Sequence, residues 1–296
     1  MEGKIVAQAI YQVISPLLEK KFSRNSYACI RGRGQHMCAE ETQRVFFNFH
    51  SDFYVYKGDI KGYFKSVKKR KLRQILYKFF KDKNLRKLLC IFIAAYKEDG
   101  IPIGWLTSEI FANIYLHEMD MYIAKNSSDV KYKRFMDDFI IISTNKEELI
   151  ECIKSVGKFL NINLLLIENP KSKIYKNHVD FCGYVIFAGY KKCRQRIFYS
   201  AFRRYKKYIM YGEFEKLFQS IPSLFGYAKF CMCRTKLVNL IYRLFSNLYI
   251  IPHTSKEEYY IKFLKDIKVK DQLTHEKEVK YNGITRTNKT SRKKAA

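Results

Sequence analysis

The sequence predicts an α+β fold: a mixed helix-and-strand region, then a small all-helical unit. Two observations carry this. Short β-branched and aromatic runs at 53–60, 131–143 and 180–187 alternate with stretches of helical period. From about residue 200 the strand pattern stops and three helical stretches follow.

The elements follow in order. Residues 1–22 read as a helix with Ile5, Ala9, Ile10, Val13, Ile14 and Leu17 on one face. A loop rich in glycine and arginine follows from Tyr27. Residues 42–49 are polar and aromatic and end in an extended segment. Phe53–Ile60 is strand-like, with Asp59 at its end. Residues 66–98 look helical, with Leu72, Ile75, Leu76, Phe79 and Phe80 forming the apolar face, and Glu98-Asp-Gly100 turns the chain. Thr107 or Ser108 can cap a further helix that buries Ile110, Phe111, Ile114, Tyr115 and Met119. Lys131–Ser143 reads as two strands meeting at Met136-Asp-Asp138. A helix at 147–161, a strand at 162–167 and a hairpin of 180–187 with 195–199 complete the mixed region. Helices at 200–219, 223–248 and 256–268 are separated by Ser220-Ile-Pro222 and Ile251-Pro252. The segment from 270 is polar and basic.

Composition narrows the function. With 56 Lys+Arg against 28 Asp+Glu the net charge is +28, and 16% of residues are aromatic. A basic, aromatic-rich chain points to nucleic acid, although lysine-rich composition alone would give the same number. The 47% hydrophobic content excludes a disordered tail, and no apolar run reaches the ~18 residues of a membrane span. The N-terminus lacks a basic segment followed by an apolar run, so a cytoplasmic protein with reduced cysteines is expected. Cys29, His36 and Cys38 form the one cluster with metal character, and Cys231-Met-Cys233 is too tight for usual zinc spacing.

The acidic residues are more informative. In Tyr132-Lys-Arg-Phe-Met-Asp-Asp-Phe-Ile-Ile-Ile-Ser143, two aspartates interrupt apolar strand runs. Charge there is costly unless something compensates it. A tight turn lets both carboxylates approach one place, where a divalent cation offsets their repulsion. Taken alone, Asp-Asp is also an ordinary turn sequence. Asp59-Ile-Lys-Gly-Tyr-Phe64 places another carboxylate at a strand end. Side by side, the two strands would make a cage for two Mg²⁺ ions, the arrangement used in phosphoryl transfer.

These segments resemble reverse transcriptases. Asp59-Ile-Lys-Gly-Tyr-Phe64 resembles motif A, Ile101-Pro-Ile-Gly-Trp-Leu-Thr-Ser-Glu109 motif B, and Phe135-Met-Asp-Asp138 motif C. Asn169-Pro-Lys-Ser-Lys173 falls at motif D, and Phe181-Cys-Gly-Tyr184 resembles motif E, the primer grip. The resemblance covers roughly 25–190 and implies a right-hand polymerase fold. Fingers and palm would occupy 1–194, a helical thumb 195–269 and a basic tail 270–296.

By the same resemblance, Asp59, Asp137 and Asp138 are catalytic. Asp59 and Asp137 are the principal Mg²⁺ ligands (Mn²⁺ as substitute), assisted by the Ile60 carbonyl, with Asp138 more peripheral. Lys61, Gly62, Tyr63, Phe64, Ile103, Gly104 and Lys173 fall at nucleotide-binding positions, with Lys171 as rival to Lys173. Phe64 takes the place of the steric gate that disfavours ribonucleotides, though by itself it could be a core aromatic. Arg31 and Arg33 suit triphosphate contact, or equally template phosphates. Met136, Phe181, Cys182, Gly183 and Tyr184 fall at primer positions. On the thumb, Arg203, Arg204 and Lys207, with Lys206 and interleaved Tyr205 and Tyr208, suit template–primer contact. A second basic cluster, Lys65 with Lys68–Lys71 and Arg73, suits the same backbone-tracking groove or else a solvated helix face.

Ile103 stands where most such enzymes carry glutamine. With Leu106-Thr-Ser108 and Ser26-Tyr-Ala-Cys-Ile-Arg-Gly-Arg-Gly34, it resembles reverse transcriptases of diversity-generating retroelements. That resemblance implies cDNA synthesis from a template repeat RNA with errors at template adenines, for mutagenic retrohoming. It also implies template RNA, a cDNA primer strand, dNTPs and a small basic accessory protein as partners, in a bacterial, archaeal or phage setting. Glu109 departs from the subfamily's usual glutamine. The competing readings are a group II intron-like, retron or abortive-infection reverse transcriptase, or a non-catalytic RNA-binding relative. About 27 residues follow the last predicted helix, too few for a maturase region.

Overall fold

The structure is a computed structural model that describes residues 2–127, 129–233 and 237. It divides into two units, Met1–Tyr190 and Lys191–Ala296.

In the first unit, α1 spans Glu2–Glu19 and α2 Gln35–Phe47. Strand β1 (Tyr54–Gly58) is followed by the single turn α3 (Tyr63–Ser66), then α4 (Lys69–Phe79), α5 (Lys83–Ala95) and α6 (Leu106–Asn126). Strands β2 (Lys131–Phe135) and β3 (Asp138–Ser143) precede α7 (Lys146–Leu164). Strands β4 (Lys173–Lys176), β5 (His178–Phe181) and β6 (Tyr184–Phe187) close the unit. Four strands form one antiparallel sheet in the order β2-β3-β1-β4. β5 and β6 form a separate hairpin.

The core lies between this sheet and α6. That helix is buried on nearly every side, at Thr107, Ser108, Ile110, Phe111, Ala112, Asn113, Ile114, Tyr115, Leu116, Met119, Asp120 and Ile123. Strand β3 contributes Phe139, Ile140, Ile141 and Ile142, all fully buried. A helix surrounded by protein needs apolar residues all round rather than on one stripe.

Several expectations change. Helix α1 buries Ala7, Ile10, Ile14 and Leu18, while Ile5, Val13 and Leu17 are exposed. Ile10 and Ile14 are buried as expected, and the packed face is completed by Ala7 and Leu18 rather than by Ile5, Val13 and Leu17. Residues 42–47 are helical, in α2, because Cys38, Ala39, Thr42 and Phe46 repeat at helical spacing beneath a polar surface. The long helix expected at 66–98 breaks between α4 and α5, where the Asp82 side chain accepts from the Leu85 N–H at 2.6 Å. Neither Thr107 nor Ser108 caps α6. The Trp105 carbonyl accepts from the Ser108 and Glu109 N–H groups, so the helix starts earlier and buries both hydroxyl residues. Helix α7 runs through 162–164 and ends at Leu165 in a left-handed conformation (φ 54°), replacing the strand expected there.

In the second unit, β7 (Lys191–Cys193) leads into α8 (Gln195–Met210) and α9 (Phe214–Ala228). Residues 195–199 are therefore helix, not strand. The break expected at Ser220–Pro222 falls instead at Gly212 (φ 68°), and Pro222 lies inside α9. The remainder of the helix expected to 248, the helix at 256–268 and the tail from 270 lie outside the described residues. Among the described residues, no helix is long and apolar enough to cross a membrane.

Candidate active site

The antiparallel register gathers the carboxylates. Gly58 pairs with Phe139 at the end of the β1–β3 ladder, so Asp59 and Asp138 each lie one step beyond that pair. Phe135 pairs with Asp138 across a two-residue turn formed by Met136 and Asp137. Asp59, Asp137 and Asp138 thus converge at one sheet end. Burial pushes the Asp137 carboxyl up to about 6; a backbone hydrogen bond pulls it down, and repulsion from Asp59 and Asp138 adds to the rise.

Close approach depends on Gly58. A Cβ there would sit 2.3 Å from the Phe139 ring, so that ring occupies the space a side chain would need. Asp59 is also pinned from the other side. Its carbonyl accepts from the Asn169 N–H at 2.8 Å, and its Oδ2 accepts from the Asn169 amide at 2.8 Å. The Lys61 N–H donates to the Ile167 carbonyl at 3.0 Å. Beside these residues, the Tyr56 hydroxyl donates to Glu168, whose carboxyl is raised by burial.

Met136 adopts φ 59°, an unfavourable conformation for a residue with a side chain. Arg134 holds it there: its Nη1 donates to the Met136 carbonyl at 2.9 Å and to Asn113 Oδ1 at 3.1 Å. The same guanidinium is fully buried and forms a bidentate pair with Asp120, at 2.7 and 2.6 Å. Burial pulls the Arg134 pKa down, but Asp120 outweighs it and the group stays charged. The Tyr132 hydroxyl donates to Asp120 Oδ1 at 2.8 Å. Sequence reasoning missed Arg134, Asp120, Asn113 and Gly58. A signal was present: an arginine within an apolar strand and an aspartate within an apolar helix each require a buried partner.

The motif B loop is fixed to motif A through backbone. The Ile101 N–H donates to the Phe64 carbonyl at 2.9 Å. At Gly100 (φ 76°) a Cβ would lie 2.1 Å from that same carbonyl. Phe64 is half-buried beside Tyr63. Ile103 is 72% exposed, and Gly104 turns the loop at φ 81°. Glu109 hydrogen-bonds the Cys29 thiol, which desolvation and this carboxylate push up to about 12.

Other expected site residues fall differently. Tyr63 is buried and donates to the Ala112 carbonyl at 2.6 Å, and Ile60 is buried in the core. These residues offer a ligand only their backbone, whereas Lys61 and Gly62, with Gly62 at φ 57°, are exposed. Arg33 Nη1 donates to the Ser23 and Ser26 carbonyls at 2.6 and 2.7 Å, clipping its own loop, while Arg31 is exposed. Lys173 is exposed on β4 opposite Lys57, and Lys171 is exposed beyond Asn169. Phe181, Cys182 and Tyr184 are buried, and Tyr184 bonds His36 at 2.7 Å. At motif E the side chains face inward because Cys182 and Gly183 form the hairpin turn at φ 49° and 82°. In the second unit, Arg203, Arg204, Lys206 and Lys207 form an exposed row on α8. Tyr205 is core, donating to the Ser220 carbonyl at 3.2 Å, so it is not a stacking surface.

Comparison with known proteins gives the family. The profile of the reverse transcriptase (RNA-dependent DNA polymerase) family matches residues 1–186. The chain belongs to the reverse transcriptase family. It is 32% identical over 139 residues to the 91 kDa protein in the cob intron of Schizosaccharomyces pombe, covering 44% of this chain and 17% of that protein. It is 27% identical over 129 residues to the group II intron-encoded protein LtrA of Lactococcus lactis, covering 40% and 21%. The reverse transcriptase chain thus spans at most about a fifth of either relative's length. Protein YkfC of Escherichia coli is 24% identical over 254 residues, covering 69% of this chain and 64% of YkfC. Among solved structures, apo telomerase from Candida tropicalis superposes with a TM-score of 0.52 at 13% identity, covering 88% of this chain and 61% of the telomerase chain. At that identity the likeness concerns the fold alone.

Proposed function

We propose that this chain is an RNA-directed DNA polymerase and that Asp59, Asp137 and Asp138 are its catalytic carboxylates. The convergence of these three side chains at one sheet end carries the reading. Their chemistry suits a hard divalent cation: all side-chain donors are carboxylate oxygens, and Asp137 is held high by burial and like charge. Asp59 and Asp137 would hold Mg²⁺, or Mn²⁺, with the Ile60 carbonyl assisting and Asp138 further out. Such ions, when bound, supply activation of the primer hydroxyl and stabilisation of charge on the transferred phosphate.

The chain's own residues do the positioning. Asn169 orients Asp59, and Arg134 orients the turn that carries Asp137. Phe64, tied to the motif B loop, excludes a ribose 2′-hydroxyl. Lys61, Gly62 and the exposed Arg31 and Lys173 serve the incoming nucleotide, and the Cys182–Gly183 turn contacts the primer through its backbone. In this reading residues 1–194 are fingers and palm, α8 and α9 open the thumb, and the α8 basic row tracks the template–primer backbone.

The finer reading is a diversity-generating retroelement enzyme that copies a template repeat RNA with errors at adenines and works with a small basic accessory protein. Ile103 supports it: the exposed side chain at the tip of the motif B loop has no hydrogen-bonding atom with which to orient a base. The similarity to LtrA favours a second reading, an intron-type reverse transcriptase without adenine bias. Primer extension on a defined RNA template with dNTPs and Mg²⁺ tests both. cDNA product supports the polymerase reading, and errors concentrated at template adenines support the retroelement reading. No extension, with or without an accessory protein, overturns the polymerase reading; an even error spectrum overturns the retroelement reading and favours the intron-type one.

A further inference from the structure

We propose that Cys193, Cys231 and Cys233 bind a zinc ion that clasps β7 to the end of α9. In sequence, Cys231-Met-Cys233 is too close-set for a zinc half-site. The fold supplies what the spacing lacks, a third sulfur from 38 residues earlier. All three Sγ atoms lie within 4.8 Å of one another. Cys193 and Cys233 are buried, and Cys231 is half-buried.

The backbone builds this triad. The Met232 N–H donates to the Lys191 carbonyl at 3.0 Å, which draws the segment after α9 alongside β7. Met232 itself is 67% exposed, while Cys233 beside it is buried and Cys231 half-buried. The Cys193 N–H donates to Cys233 Sγ at 3.3 Å. Such an N–H stabilises a thiolate and recurs around metal-bound sulfur. Cys193 and Cys231 Sγ are 2.8 Å apart, well beyond the ~2.05 Å of a disulfide. An opening of about 1 Å reaches the sulfur–sulfur edge of a tetrahedral zinc site with ~2.3 Å bonds.

Three thiolates are the soft donor set that selects zinc over magnesium. On binding, the three thiols release their protons and form three zinc–sulfur bonds; no oxidation is involved. The proposal is independent of the polymerase reading, because it concerns sulfur rather than carboxylate ligands in a different unit.

The test uses the full chain, purified reduced and without chelator. Elemental analysis should find one zinc per chain, and Co²⁺ should replace it with a thiolate-to-cobalt absorption band. Cys193→Ser, Cys231→Ser and Cys233→Ser should each lose metal and band, whereas Cys90→Ser keeps both. Removing the metal from the wild-type chain should lower its melting temperature, restored by Zn²⁺ but not by Mg²⁺; this arm needs no variant to fold. Reduced wild-type protein that binds neither Zn²⁺ nor Co²⁺ overturns the proposal. So does metal that persists after all three cysteines are replaced, or a Cys193–Cys231 disulfide in the reduced preparation.

Discussion

The buried guanidinium of Arg134 donates to the carbonyl of Met136, two residues further along the chain, at 2.9 Å. The turn that presents Asp137 is therefore held by a charge anchored on α6 through Asp120 rather than by the turn's own conformational preference. Arg134→Met should leave Asp120 buried without its partner and cost about 3–5 kcal/mol in denaturant unfolding. Arg134→Met combined with Asp120→Leu should recover much of that loss. In primer extension the double variant should still show a depressed kcat with KM little changed, because the Met136 carbonyl has lost its donor. Full kcat in the double variant would refute the positioning role.

Asp137 carries the pH dependence. Its folded-state pKa of about 6 lies above the ordinary carboxylate value, so its stabilising contribution is complete below the unfolded value and is lost as pH rises through about 6. Without divalent cation, Asp137→Asn should raise stability at pH 7–8 by roughly 2 kcal/mol, allowing for partial exposure, and should have little effect near pH ~3. The same substitution should reduce primer extension at least ~100-fold, of the order seen when a transition-state electrostatic group is removed. Urea unfolding across pH, with and without Mg²⁺, checks the first part. Near wild-type extension would refute the catalytic assignment.

Gly58→Ala should destabilise by about 2–3 kcal/mol, since its Cβ would lie 2.3 Å from the Phe139 ring. Adding Phe139→Leu should restore part of the stability. An unchanged melting temperature for Gly58→Ala would show that the ring moves aside at no cost.

Nucleotide selection has two independent tests. Phe64→Ala should admit ribonucleotides, read as the ratio of rNTP to dNTP incorporation, without abolishing DNA synthesis. Ile103→Gln should lower misincorporation at template adenines, read by sequencing the cDNA. An error spectrum unmoved by the change would remove Ile103 from the account of fidelity.

The basic row on α8 should act through phosphate charge. Replacing Arg203, Arg204 and Lys207 together by alanine should weaken RNA binding and reduce the slope of log K against log salt by roughly 2. A weaker affinity with an unchanged slope would point to packing instead.

Much of this protein is written locally. Asp59 after an apolar strand, the Asp137–Asp138 pair between two strands and the glycine-marked motif B loop could each be read from neighbouring residues, because strand runs and turn residues act within a few positions. The same local pattern misassigned 162–167 and 195–199, where an apolar run suits helix and strand alike. On α1 it placed Ile10 and Ile14 correctly in the core but added Ile5, Val13 and Leu17, where the packed face takes Ala7 and Leu18 instead.

The sequence by itself determined the order of the motifs, the carboxylate set and the α+β class. The tertiary structure decided which groups support them. Arg134 meets Asp120 across 14 residues, Asn169 reaches Asp59 across 110, and Cys193 meets Cys231 across 38. No periodicity encodes those pairings. They arise because a buried charge or polar group must be satisfied by whatever partner the packed chain brings within reach.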